Sequence, residues 1–192
     1  GAYKNNNNLL LINSLYLAEN YELEFRELWS EQFKTGEPVK YPELYLSGTK
    51  IENYFCPEDD CTRQVVEELK SSERSIQFMV FSFTSEDIAN VLLMKNLDGI
   101  EIKGVMEAKQ ISKHSQFERL KNNGISVVKD GNPQNMHHKV FIIDEKTVIT
   151  GSFNPTAGGN SRNDENLLII HDEQIAKLFL KEMDLLVVDH KS

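Results

Sequence analysis

From about residue 75 onward, short apolar runs alternate with segments of helical period, and that alternation restricts the fold most. Ile76 to Phe81, Ile100 to Met106, Ile125 to Val128 and Val140 to Ile143 are rich in β-branched and large apolar residues, and show little two-residue polar alternation. Strands of that kind are buried on both faces. Between them, Thr84 followed three residues later by Asp87 predicts a capped helix start. Ser115 to Asn123 predicts a second helix, stopped at Gly124. The expectation is an α/β domain: a mixed β-sheet covered by helices on both faces.

A chain of 192 residues has room for one domain of ordinary size plus part of another. Composition fits a folded protein, with 40% hydrophobic and 27% charged residues. The balance of 21 basic against 30 acidic residues gives a net charge of -9, which disfavours unspecific adhesion to nucleic acid or anionic lipid but leaves room for a local basic cleft. No apolar run approaches the ~18 residues a transmembrane segment needs. Nothing at the start reads as a charged region followed by an apolar leader. Cys56 and Cys61, with Pro57, Glu58, Asp59 and Asp60 between them, match neither a zinc knuckle nor a disulfide-rich scaffold, so two free thiols are expected, with a local disulfide as the alternative.

Residues 1–33 hold a strand near Leu9 to Ile12 and a helix from Leu15 to Phe33. Thr35, Gly36, Pro38, Pro42 and Gly48 then break any period, so 34–49 is read as a linker and 50–192 as the domain. The first segment is not independent of the last. Asn8, Leu9, Leu10 and Ile12 recur as Asn166, Leu167, Leu168 and Ile170, and Ala18, Glu24 and Leu28 recur as Ala176, Glu182 and Leu186, always 158 residues apart. On that reading 1–33 is the strand–helix remnant of a preceding copy, and Asn7 stands where the complete copy has Glu165.

The chemistry gathers between His137 and Glu165. His137, Lys139, Asp144, Gly151, Ser152 and Asn154 form the pattern H-x-K-x4-D-x6-G-S-x-N. Side chains two apart on a strand share a face, so His137 and Lys139 project together and Phe141 and Ile143 continue that face into the core. His138 points the other way with Val140 and Ile142. Ser152 and Asn154 are also two apart, and Gly151 lets the backbone approach a ligand closely. A cation, a hydroxyl and an amide around one point suit a phosphoryl group that gains charge in the transition state. Asp144 lies on the opposite parity from His137 and on the order of 20 Å along the strand, which gives it a structural role. His114, His171 and His190 have no such company and are expected at the surface. Asn5 to Asn8 reads as a frayed tail. No other residue spacing suggests a metal site.

In these residues the chain resembles the phospholipase D superfamily of phosphodiesterases, over 50–192, and in particular its compact bacterial endonuclease-like branch with one motif per chain. The resemblance implies a phospholipase D-like layered fold and a metal-independent reaction with no cofactor. By the same resemblance His137 would form a phosphohistidine, Glu165 would orient its imidazole, and Lys139, Ser152 and Asn154 would bind the substrate phosphate. A second H-x-K motif is then needed to protonate the leaving group, from a homodimer partner or from a missing upstream half. The expected substrate is nucleic acid, because the segment Glu107 to Arg119, with Lys109, Lys113, His114 and Arg119, is polar and partly basic. The alternatives are a phospholipid substrate, hydrolysed or transferred, and a binding module of the same fold without turnover.

Overall fold

The computed structural model describes residues 4–188. Six helices and eight strands follow the chain in the order α1 (Leu15–Trp29), β1 (Glu43–Leu46), β2 (Thr49–Cys56), α2 (Cys61–Lys70), β3 (Ser75–Val80), α3 (Glu86–Leu97), β4 (Glu101–Met106), α4 (Phe117–Asn122), β5 (Ser126–Lys129), β6 (Lys139–Ile143), β7 (Thr147–Gly151), α5 (Ala157–Ser161), β8 (Glu165–His171) and α6 (Glu173–Val188). All the strands join one mixed sheet in the order β1-β2-β8-β7-β6-β3-β4-β5. β3, β4 and β5 are parallel, and the remaining pairs are antiparallel.

The sheet separates two cores, as the buried runs require. Ile76, Phe78, Val80, Phe141 and Ile143 pack on one face with Val65 and Leu69 of α2, Ile88 and Leu92 of α3, and Leu120 of α4. Met79, Val140, Ile142 and Val148 face the other way, onto Ala176, Phe179, Met183 and Leu186 of α6. A third, smaller core gathers Leu17 of α1 with Leu44, Ile51, Leu168 and Ile170 at the β1–β2–β8 end. The alternation along β3 and β6 is therefore real, but both sides of it are buried.

Several local expectations change. Leu9 to Ile12 forms no strand; Leu9 and Leu11 are 93% and 99% exposed. A strand needs a neighbour for its ladder, and among the described residues only Asn6, paired with Met136 as an isolated bridge, meets one in this segment. α1 stops at Trp29, where the Ser30 hydroxyl donates to the carbonyls of Arg26 and Glu27. The stretch read as a linker contains β1, which turns into β2 through Ser47 and Gly48, both at positive φ. A two-residue hairpin loop favours such a pair. α3 is capped by Ser85, not by Thr84 with Asp87, because the Thr84 and Ser85 amides are both held by the Pro155 carbonyl while the Ser85 hydroxyl accepts from the Ile88 amide. Cys56 and Cys61 are joined as a disulfide with their Cα atoms 5.7 Å apart, replacing the expected free thiols. The turn at Pro57–Asp60 folds back so that the start of α2 meets the end of β2, which no residue spacing discloses.

Candidate active site

The motif strand is fixed before its chemistry begins. The buried Glu107 accepts the amide of Met136 at 2.7 Å, and the amide of His137 donates to the Asn6 carbonyl at 2.9 Å. From that anchor the strand parity does what the sequence predicts. His137 reaches the surface, while His138 is 1% exposed, its ring nitrogens 2.9 Å from Asn8 Oδ1 and 3.3 Å from Glu182 Oε1.

His137, Lys139, Gly151, Ser152, Asn154 and Glu165 line one cavity of about 530 Å³, together with Asn7, Asn8 and Asn166. β6 supplies the lysine, the end of β7 the glycine with the serine just beyond it, and the start of β8 the glutamate. Gly151 sits at φ 146°, and a side chain there would run into the Asn166 carbonyl, so only glycine lets β7 and β8 close up at the cavity floor. The Ser152 hydroxyl accepts from the Asn166 amide at 3.0 Å and from Asn166 Nδ2 at 3.2 Å, which leaves its own proton free to donate. Among the described residues, the buried Oδ1 of Asn154 has no hydrogen-bond partner.

Charge is balanced closely here. Burial pulls the Lys139 ammonium from 10.5 to about 8, against a smaller lift from Glu165. Its Nζ donates to the His137 carbonyl at 2.9 Å and lies 4.9 Å from the centre of the Phe81 ring. Burial, followed by the positive charge of Lys139, also lowers His137. That shift favours the neutral imidazole, the state in which a ring nitrogen can attack. Phe81 stacks edge-on against His137 with ring centres 4.6 Å apart, so one aromatic ring backs both groups. Sequence reading took Phe81 only as the end of a strand; the structure places it just beyond the last β3–β6 pair, Val80 with Lys139, which no residue spacing indicated. Glu165 faces the same cavity, but its Oε1 accepts from Asn163 Nδ2 at 3.0 Å, and no hydrogen bond joins it to His137 among the described residues.

Asp144 is elsewhere. Its carboxylate accepts the amides of Glu73, Arg74 and Ser75 at 2.8–2.9 Å, tying the β6–β7 turn to the entry of β3. Burial pushes its pKa up, but these backbone bonds outweigh that and leave it below the ordinary value.

Two further expectations need correction. Asn5 to Asn8 is not a frayed tail: Asn6 bridges to Met136, and Asn8 Nδ2 donates to Thr150 Oγ1 at 3.2 Å. His171 is half-buried between Glu52 Oε1 at 2.8 Å and Thr147 Oγ1 at 3.0 Å, and with Glu52 and Glu68 it forms a group of liganding type that no sequence spacing indicated. Lys50 already lies 3.1 Å from Glu52 there. Lys109, of the polar segment Glu107 to Arg119, is exposed, and its ammonium donates to the Pro133 and Gln134 carbonyls. His114 is exposed, and His190 lies outside the described residues.

Comparison with known proteins identifies the family. The family described as "Cardiolipin synthase, PLD-like domain" matches residues 65–187. Phospholipase D of Rickettsia typhi is 34% identical over 137 residues, which cover 71% of this chain and 67% of that protein. Human mitochondrial cardiolipin hydrolase is 32% identical over 117 residues, 60% of this chain and 46% of that protein. Among solved structures, a phospholipase D family member, Nuc from Salmonella typhimurium, superposes with a TM-score of 0.69 at 28% identity, covering 73% of this chain and 95% of that one. Among the described residues no helix is long and apolar enough to cross a membrane. With the family match spanning most of the chain and the H-x-K-x4-D-x6-G-S-x-N residues lining one cavity apart from the structural Asp144, the chain belongs to the phospholipase D-like superfamily.

Proposed function

We propose that the protein is a metal-independent phosphodiesterase that works through a covalent phosphohistidine on His137, with nucleic acid as the substrate. The observation that carries the reading is the convergence of His137, Lys139, Ser152, Asn154 and Glu165 on one cavity. A neutral ring nitrogen of His137 attacks phosphorus while the bond to the leaving oxygen breaks, and that oxygen takes a proton from the histidine of a second motif. Water then attacks the phosphohistidine, gives its proton to the second histidine, and releases the phosphate ester as the N–P bond breaks. Lys139, Ser152 and Asn154 hold the nonbridging oxygens, which leaves no step that calls for a divalent ion. Glu165 keeps the His137 imidazole in one tautomer, as carboxylates do in triads generally. The second motif comes from a twofold partner or from a copy upstream of which residues 1–33 are the remnant.

A lipid substrate is the second reading, favoured by one feature. Leu9 and Leu11, two and four residues beyond Asn7 at the cavity, are almost wholly exposed, with Leu15, Phe25 and Trp29 also exposed on α1. Relatives at similar identity are called phospholipase D and mitochondrial cardiolipin hydrolase. Incubation with single-stranded DNA, RNA and cardiolipin vesicles in excess chelator, beside His137→Ala, tests both. Cleavage of a polynucleotide supports the first reading and hydrolysis of the vesicles the second. No reaction from an assembly that holds two motifs, or activity that a chelator abolishes and a divalent ion restores, refutes the proposed mechanism.

A further inference from the structure

The cavity has one wall that the motif does not supply. Residues Asn6 to Asn8 cross the start of β6, fixed on both sides: the Asn6 amide donates to the Asn135 carbonyl at 3.0 Å, the Asn6 carbonyl accepts from His137, and the Asn8 side chain meets both Thr150 and His138. Asn132 Nδ2 also donates to Lys4 O and Asn6 Oδ1. Asn7, held between these two anchored residues, lines the cavity with His137, Lys139 and Glu165. The internal repeat gives an independent reason to look here. An offset of 158 carries Asn7 onto Glu165 and Asn8 onto Asn166, and all four residues line this one cavity. The two halves of the repeat have come together around a single space.

We propose that Asn7 is a substrate-binding residue of this site, its side-chain amide donating a hydrogen bond to an oxygen of the bound phosphodiester. The proposal rests on the phosphodiesterase reading above. The amide suits the place. A carboxylate at position 7, beside Glu165, would add a second negative charge against an anionic ligand, whereas an amide offers a donor at no charge. Asn6 and Asn8 position Asn7, and their substitution acts on the segment as a whole.

The test is calorimetric titration of the full chain with inorganic phosphate, together with melting temperature. Asn7→Ala should weaken phosphate binding roughly 10- to 100-fold, the loss of one hydrogen bond to a charged group. Asn7→Asp should weaken it further, both with the melting temperature of the parent. Asn5→Ala should bind as the parent does. Asn8→Ala should lower the melting temperature, because Thr150 and the buried His138 lose their partner. Lys139→Met separates two kinds of failure. If Lys139→Met weakens binding and both Asn7 variants bind like the parent, the assignment of Asn7 is wrong and the phosphate site stands. If the parent does not bind phosphate, or Lys139→Met binds as tightly as the parent, the phosphodiesterase reading fails and takes the Asn7 assignment with it.

Discussion

Replacing Lys139 with methionine should make the protein more stable and nearly inactive. Lys139 is 8% exposed, and burial draws its ammonium from 10.5 to about 8. At ~1.4 kcal/mol for each factor of ten in proton affinity, holding it charged near pH 7 costs about 3 kcal/mol. Solvent at the open cavity mouth screens that to about 2 kcal/mol. Methionine keeps the length and the apolar stem without the charge. It loses the hydrogen bond to the His137 carbonyl and the contact with the Phe81 ring, together about 1 kcal/mol. The net is a gain of about 1 kcal/mol, or roughly 2–4 °C in melting temperature for a chain of this size. The sign follows from linkage. A lysine with a depressed folded pKa destabilises wherever it is protonated, so the penalty is full below about 8 and fades as pH rises toward 10.5. The advantage of Lys139→Met is therefore largest at neutral or mildly acid pH and absent near 10.5. Turnover should fall on the order of 10²-fold or more, because a preorganised cation on the phosphoryl oxygens is removed. Urea unfolding at both pH values, beside hydrolysis of bis(p-nitrophenyl) phosphate by an assembly holding two motifs, measures the two effects. A variant less stable than the parent at neutral pH, a stability difference indifferent to pH, or an unchanged rate refutes the reasoning.

Three groups set the pH profile. kcat/KM should rise as His137 loses its proton below its ordinary 6.5, and fall both as the second motif's histidine loses the proton it gives the leaving oxygen and as Lys139 loses its own near 8; Lys139→Arg should move only the alkaline limb. Glu165→Gln should slow turnover on the order of 10²-fold with the melting temperature kept, whereas His138→Ala should lower the melting temperature first, since His138 is the buried member of the pair. Asp144→Ala strands three backbone amides and should cost about 2 kcal/mol, a fall in melting temperature on the order of 5 °C, with the rate of the folded fraction unchanged. Because the folded pKa of Asp144 is depressed, its contribution is present above its ordinary 3.8 and lost as pH falls through the folded value, so the variant should also lose part of the parent's sensitivity to acid.

The sequence disclosed those parts of the site that depend on local periodicity. Strand parity alone separates His137 from His138 and sets Phe141 and Ile143 against Val140 and Ile142, because a period of two survives whatever the sheet does around it. It could not disclose contacts made across the chain. Parity already gives Asp144 a structural role, but the three backbone amides it holds, some 70 residues upstream, were not legible. The asparagine run reads as a loose start until Asn6 is found beside Met136. Cys56 and Cys61 read as free until the turn between them folds back. The hairpin at Ser47 and Gly48 was legible, since a small residue and a glycine between two strand-forming stretches is a turn signal, but the prolines on either side obscured it. Leu9 to Ile12 shows the converse: a strand-like pattern forms no strand where no neighbouring edge is offered.

The central claim is that His137 attacks phosphorus and carries the phosphoryl group. Quenching turnover of a labelled phosphodiester, then mapping the modified peptide by mass, tests it most directly. The account predicts an acid-labile phosphoramidate on His137, absent from His137→Ala, with half-stoichiometric labelling if two symmetric chains share one site. Label on any other residue, or label that persists in His137→Ala, contradicts it.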